Sequence, residues 1–392
     1  MAKKKVLLIT AQVINERNYK RFSLNLFKEK YDFTILDVSY IFNKDSYLQN
    51  FKNRVDISNY HFVKSFKELN DQSDLLEIND LLIGLIGQEN EITSKIYSFI
   101  KPYEEKLCVV LISAFPLYPL KMKFFLLKRI ITKFNREKSF LGIIKKLTYI
   151  IKRKLFTKRE NLVPGYFLVC GNAVANQYGF DTSKAKIIKS CSYDYLLSKN
   201  NYDNLIKEKY IVFLDENIIN HTDFSILNAK VEDEELYYVE LRNFFKFIEN
   251  NFKLSVVVAA HPRSDISYTK KMLPDYKVLI NQTAGLVKFS EGCIAHASTS
   301  INFAVIFKKP ILFLTSYRMA RTRLENYQLA SWFNKIPINM SKELKVNEIE
   351  NALTFDDANY SSYFGKFISC EKNSKFGFSE LLEEFESIRI CE

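Results

Sequence analysis

The chain has 392 residues, 47% hydrophobic and 26% charged, with a formal net charge of +12. That is the make-up of an ordinary folded protein, long enough for two domains with full cores, while ten Gly and eight Pro exclude collagen-like and linker-rich architectures. Six cysteines (Cys108, Cys170, Cys191, Cys293, Cys370, Cys391) stand singly without any CxxC, which reads as reduced thiols of a cytosolic protein rather than a zinc site or a disulfide framework.

In chain order, the apolar run Val6-Leu7-Leu8-Ile9 behind Lys3-Lys4-Lys5 is too short for a signal sequence and reads as a first strand over 6–10. Further short apolar runs predict strands over 33–38, 81–86, 107–113 and 166–170, with helices between them over 18–30 and 91–101. Strands and helices alternating at this period predict a doubly wound α/β sheet. No apolar run approaches the length of a membrane span.

The charge is concentrated in one segment. Residues 121–159 hold fourteen Lys and Arg against Glu137 alone, so the rest of the chain is close to neutral. Apolar and basic pairs alternate there, as in Lys128-Arg129, Lys145-Lys146 and Lys152-Arg153-Lys154, which predicts amphipathic helices with one cationic face. Such a face suits an anionic membrane or glycolipid surface. The plainer reading is an insertion packed on its own domain with a solvated face. No helix-turn-helix, finger or RNA-binding motif accompanies the patch, so nucleic acid is not an expected partner.

The polar stretch 197–204 reads as a linker, which predicts a first domain over 1–202, carrying the basic insertion 119–160, and a second over 203–392. The second series predicts strands over 210–214, 256–260, 278–280, 292–296 and 311–315. Helices are expected between them over 233–250, 284–291 and 299–307, and a last one over 379–389. Two Rossmann-like domains would form a cleft between opposing sheet ends, and ligands of open α/β sheets gather at the carboxyl ends of the strands.

Three strand ends carry chemistry. After Phe213-Leu214 come Asp215 and Glu216, adjacent acids that burial can tune as a base or nucleophile, followed by His221. After Val256–Ala260 come His261, Pro262, Arg263 and Ser264, an imidazole and a guanidinium side by side, both suited to phosphate. After Cys293-Ile294-Ala295 come His296, Ala297, Ser298, Thr299 and Ser300, whose hydroxyls and amides suit an anion. The chain has no GxGxxG after a strand, no GxxxxGK[ST], no HExxH, no Asp-x-Asp at a strand end and no GxSxG.

An acidic pair, a strand ending in His-Pro and a strand ending in adjacent hydroxyls together resemble the bacterial two-Rossmann-domain (GT-B) glycosyltransferases that use CMP-activated nonulosonic or ulosonic acids. These include sialyltransferases, polysialyltransferases and Kdo transferases of capsule and lipopolysaccharide assembly. The resemblance covers mainly residues 205–320. It implies His261 on the CMP phosphate, Arg263 as clamp, and Ser298, Thr299 and Ser300 as phosphate hydroxyls, with Pro262, Ser264 and His296 completing the donor set. It implies Asp215 as base or nucleophile with Glu216 tuning it, although the usual acid-acid-Gly reads Asp215-Glu216-Asn217 here. No metal or other cofactor is implied, because a single phosphate can be met by side chains and amides. The expected enzyme is cytoplasmic and peripheral at the inner membrane face, acting on a surface glycan or lipid-linked acceptor. Two rivals stand beside it: a CDP-alditol polyol-phosphate transferase of the teichoic-acid type, and a non-catalytic scaffold that uses segment 121–159 on a membrane.

Overall fold

Leucine-, isoleucine- and valine-rich runs without polar alternation are strands covered on both faces, and here they form two wholly parallel sheets. The computed structural model describes residues 3–86, 91–112, 116, 162–172, 182–219, 233–319, 322–369 and 376–387, except the side chains of 46, 49 and 322–324. Segment 121–159, with Lys128, Arg129, Lys145, Lys146, Lys152, Arg153 and Lys154, lies outside the described residues, as does His221.

The first sheet contains β1 (Lys5–Thr10), β2 (Asp32–Asp37), β3 (Tyr60–Phe62), β4 (Leu81–Leu85), β5 (Leu107–Leu111), β6 (Tyr166–Val169) and β7 (Lys186–Lys189), in the order β3-β2-β1-β4-β5-β6-β7. The second contains β8 (Tyr210–Leu214), β9 (Ser255–Ala260), β10 (Lys277–Ile280), β11 (Gly292–Ala295), β12 (Ile311–Thr315) and β13 (Ile338–Asn339), in the order β10-β9-β8-β11-β12-β13. Each order reverses beside the first strand of its sheet, the doubly wound Rossmann arrangement. The expected α/β class, with the pair of Rossmann-like units found in a GT-B chain, is therefore what the sequence forms.

The division between units differs from the sequence expectation in two ways. The chain enters the second unit at Ser192 rather than at 203, and the last helix, Ser379–Ser387, belongs to the first unit. Stretch 197–204 is polar yet packed: the Tyr202 hydroxyl donates to the Leu197 carbonyl, its ring lies against Gly285, and Ile206 is buried behind it. At the other end, fully buried Phe378 meets Phe27 edge-on at 5.0 Å, Glu386 accepts the Tyr31 hydroxyl at 2.7 Å, and Glu384 pairs with Lys186 on β7.

In the second unit the Glu234–Phe252 helix begins at Asp233, whose carboxylate accepts the Leu236 N–H, and ends at Lys253 in a left-handed conformation. Its Tyr237, Leu241, Phe244, Phe245 and Ile248 recur at helical spacing and cover one sheet face with Phe213, Ile294, Leu312 and Leu314. Alternation along the strands sends Leu214, Ala295 and Phe313 to the opposite face, where Phe313 packs tilted against Phe333.

Candidate active site

All three predicted motifs fall at the carboxyl edge of the second sheet, on neighbouring strands β9, β8 and β11. The register aligns Leu214, Ala295 and Phe313, and β8 lies beside β9 with Leu214 opposite Ala259.

Asp215 and Glu216 leave β8 toward opposite faces and meet different surroundings. Asp215 organises turns: its carboxylate accepts the Asn217 N–H at 2.9 Å, the Ser264 hydroxyl at 3.3 Å and, at 3.5 Å, the His261 N–H. Burial raises its pKa, and these donors pull it back toward the ionised form. Asp215 thereby holds the β8 turn, where Asn217 has φ 52°, and ties it to the β9 turn.

Glu216 has the character expected of the reactive acid. It is 9% exposed, the nearby backbone N–H of Ala297 favours its ionised form, and its Oε2 has no hydrogen-bond partner. Burial first, then the Glu325 carboxylate, push its pKa up to about 8. A carboxyl group buried beside other acids keeps its proton near neutrality and is matched to proton transfer. The two adjacent acids thus differ in surroundings, Asp215 in a hydrogen-bonded turn and Glu216 in an under-satisfied interior.

The His261–Ser264 turn is closed by the Ser264 N–H on the His261 carbonyl at 2.8 Å. The Arg263 backbone N–H donates to His261 Nδ1 at 3.1 Å, so in the neutral ring Nε2 carries the hydrogen. Pro262 is partly exposed and the Arg263 side chain is exposed. Asp265 caps the following helix by accepting the Ser267 and Tyr268 N–H groups.

At the end of β11 the hydroxyls and the histidine part company. Ser298 Oγ accepts the Ser300 N–H at 3.2 Å and keeps its own hydrogen for another acceptor; Thr299 is exposed and Ser300 half-buried. His296 departs from its expected donor-binding role. It is 0% exposed, with Nε2 against the Tyr237 hydroxyl at 3.0 Å and Nδ1 against the Leu314 carbonyl at 3.1 Å. Burial lowers its pKa to about 4. Both nitrogens are used within the core, so it is a structural histidine.

Sequence reasoning passed over the end of β12. Ser316 and Ser341 both donate to Glu240 Oε2, at 2.6 and 2.9 Å, and the Arg318 guanidinium lies 3.6 Å from Glu240 Oε1. Thr315 and Asn326 are each 0% exposed, and Thr315 Oγ1 and Asn326 Oδ1 have no hydrogen-bond partner. The available signal was the rule that drew attention to β8, β9 and β11, since Thr315-Ser316 also stands at a strand end. Among the described residues no group of three or more His, Cys, Asp or Glu side chains is arranged to hold a metal ion, and no helix is long and apolar enough to cross a membrane.

No family model and no curated protein matches the chain. Solved structures of similar build include the UDP-N-acetylglucosamine 2-epimerase from Rickettsia bellii, at 11% identity, covering 98% of this chain and 95% of that one with a TM-score of 0.47. A variant of the wall teichoic acid polymerase TagF is similar at 12% identity, covering 98% of this chain and 88% of that one, again with a TM-score of 0.47. The UDP-GlcNAc 2-epimerase from Methanocaldococcus jannaschii is similar at 14% identity, covering 97% and 98%, with a TM-score of 0.43. With identities this low, the chemistry of this chain rests on its own residues.

Proposed function

We propose that the protein is a glycosyltransferase that takes a nonulosonic or ulosonic acid from its CMP-linked donor and passes it to a glycan hydroxyl. One observation carries the reading: Glu216, a buried carboxyl with an unmatched oxygen, stands at the same sheet edge as the fixed His261 imidazole and the Ser298–Ser300 hydroxyls. The acceptor oxygen forms a bond to the anomeric carbon while the bond from that carbon to the phosphate oxygen breaks, its electron pair leaving with CMP. Ionised Glu216 takes the acceptor proton. His261 Nε2–H, the exposed Arg263 guanidinium and the hydroxyls of Ser298, Thr299 and Ser300 stabilise the charge gathering on the phosphate, which requires no metal. Asp215 and Ser264 keep the His261 turn in place.

The His261 tautomer favours this reading over polyol-phosphate transfer. A base on that residue needs an unprotonated Nε2, whereas acceptance of the Arg263 N–H at Nδ1 leaves Nε2 as the donor. The cationic segment 121–159 suits a peripheral station on anionic lipid at the cytoplasmic face, where a lipid-linked acceptor would be presented.

The test is incubation with CMP-N-acetylneuraminic acid and a glycan acceptor mixture, with wild type and Glu216→Gln in parallel. Release of CMP coupled to a new glycosidic linkage, lost in Glu216→Gln, is the expected result. A phosphodiester product made from a CDP-alditol would replace the reading with its rival. Wild-type function in cells carrying both Glu216→Gln and His261→Ala would leave the scaffold reading.

A further inference from the structure

Three buried polar atoms without partners gather around the end of β12 and the helix that follows it. Carrying the register of β8, β11 and β12 two residues past Leu214, Ala295 and Phe313 brings Glu216, Ala297 and Thr315 abreast. The Ala297 backbone N–H acts on the Glu216 carboxylate, which keeps these two residues neighbours just past the ends of β8 and β11. Thr315 emerges on the face of Phe313, two residues before it in β12, and Glu216 follows Leu214 of that same face out of β8. The Thr322–Ser331 helix adds Asn326, whose Nδ2 donates at 3.0 Å to the carbonyl of Leu314, the residue before Thr315. Glu325, beside Asn326, is close enough for its charge to act on Glu216.

In a folded interior, unmatched polar atoms at this depth are rare, because each costs a lost hydrogen bond when water is excluded. Of those found among the described residues, Glu216 Oε2, Thr315 Oγ1 and Asn326 Oδ1 belong to this one corner of the second unit. Its chemistry is one-sided. Asn326 Oδ1 only accepts, Glu216 and Glu325 are acids, and Thr315 can both donate and accept. A phosphate or carboxylate would face acceptors and negative charge, whereas sugar hydroxyls would supply the missing donors.

We propose that this corner of the second unit is a subsite for a vicinal diol of the nucleotide sugar, with one hydroxyl on Thr315 Oγ1 and its neighbour on Asn326 Oδ1, next to Glu216. The inference rests on the nucleotide-sugar reading and refines it. The diol belongs either to the nucleotide ribose or to the transferred sugar, and the same residues would select for it in both cases.

Thr315→Val keeps the shape of the side chain and removes the hydroxyl; Thr315→Ser restores it. Binding of CMP, 2′-deoxy-CMP and CMP-N-acetylneuraminic acid to wild type and both variants is measured by calorimetry. A ribose diol predicts that Thr315→Val weakens CMP about tenfold, leaves 2′-deoxy-CMP unchanged and is rescued by Thr315→Ser. A diol on the transferred sugar predicts unchanged CMP and about tenfold weaker CMP-N-acetylneuraminic acid, with the same rescue. Equal effects on all three ligands, or none on any, overturn the subsite. If wild type binds no cytidine nucleotide but does bind UMP, GMP or AMP, the cytidine reading falls by itself, and the ribo and 2′-deoxy forms of that nucleotide decide the subsite. Binding of no nucleotide overturns both.

Discussion

His261 Nδ1 accepts the backbone N–H of Arg263 across 3.1 Å, and that bond decides which nitrogen of the neutral ring carries the hydrogen. The turn supplies the acceptor's partner from its own backbone, so the orientation of the imidazole does not depend on a substrate. His261→Ala is expected to weaken CMP binding about 10- to 100-fold by calorimetry, the range for a hydrogen bond to a charged group. Asp215→Asn, which places an amide against the His261 N–H and Ser264 hydroxyl, should weaken it less. Unaltered CMP affinity in His261→Ala would remove the phosphate role.

The raised Glu216 pKa gives two readouts of opposite sense. As the proton acceptor, Glu216 works when ionised, so kcat/KM should climb with pH to a plateau above about 8. Glu216→Gln should lower it by about 10²- to 10⁴-fold and abolish that limb. Stability runs the other way. Between the ordinary value of 4.5 and about 8 the folded state binds the proton more tightly than the unfolded chain, so rising pH costs stability through that window. Glu216→Gln should therefore be more stable than wild type at pH 8 by about 2–4 kcal/mol, a difference that closes near pH 4.5 in thermal melts.

His296 predicts the reverse slope. Its folded pKa of about 4 lies below the ordinary 6.5, so the unfolded chain takes up a proton that the core refuses, and stability falls as pH drops through that window. Tyr237→Phe removes the partner of Nε2 while keeping the ring, and should cost about 1–3 kcal/mol in denaturant melts. CMP affinity should stay at the wild-type value; a selective loss of affinity would return His296 to the ligand site.

Phe378 links the end of the chain to the first sheet, with Phe22 and Phe27 around it. Phe378→Ala should cost about 3–5 kcal/mol, the usual penalty for emptying a buried aromatic site. Because Phe378 belongs to the first unit, nucleotide-dependent protection of the second unit in hydrogen exchange should survive. Equal destabilisation of both units would contradict the division.

The central strands were legible because they are buried on both faces: Val6-Leu7-Leu8-Ile9, Val256-Val257-Val258 and Ile311-Leu312-Phe313-Leu314 have no solvated side. Three of the four edge strands were not. Tyr60–Phe62, Lys186–Lys189 and Ile338–Asn339 are short and partly exposed, so their composition resembles loop. The single helix expected over 18–30 is two, Glu16–Arg21 and Asn25–Lys30, separated by Ser23 in a left-handed conformation that residue type alone does not announce. At the site, strand-end position found Asp215, Glu216, His261 and Ser298, but role depended on which face each occupies. Alternation sends Asp215 and His296 one way and Glu216 the other, and only coordinates reveal the partners waiting on each side. Thr315 and Asn326 stayed hidden because a threonine in a strand and an asparagine in a helix attract no notice until their lack of partners is seen.

The return of the Ser379–Ser387 helix to the first unit also sets an order of assembly. On the ribosome the strands of the first sheet emerge early, yet Phe22, Phe27 and Tyr31 have no Phe378 or Phe385 to cover them until the whole second unit has been translated. Domains generally fold as they emerge, and here the second unit, an insertion in the first, is able to close before its host. The nascent chain therefore carries an open aromatic seam through most of its synthesis, the stage at which a holding chaperone would have the most to protect.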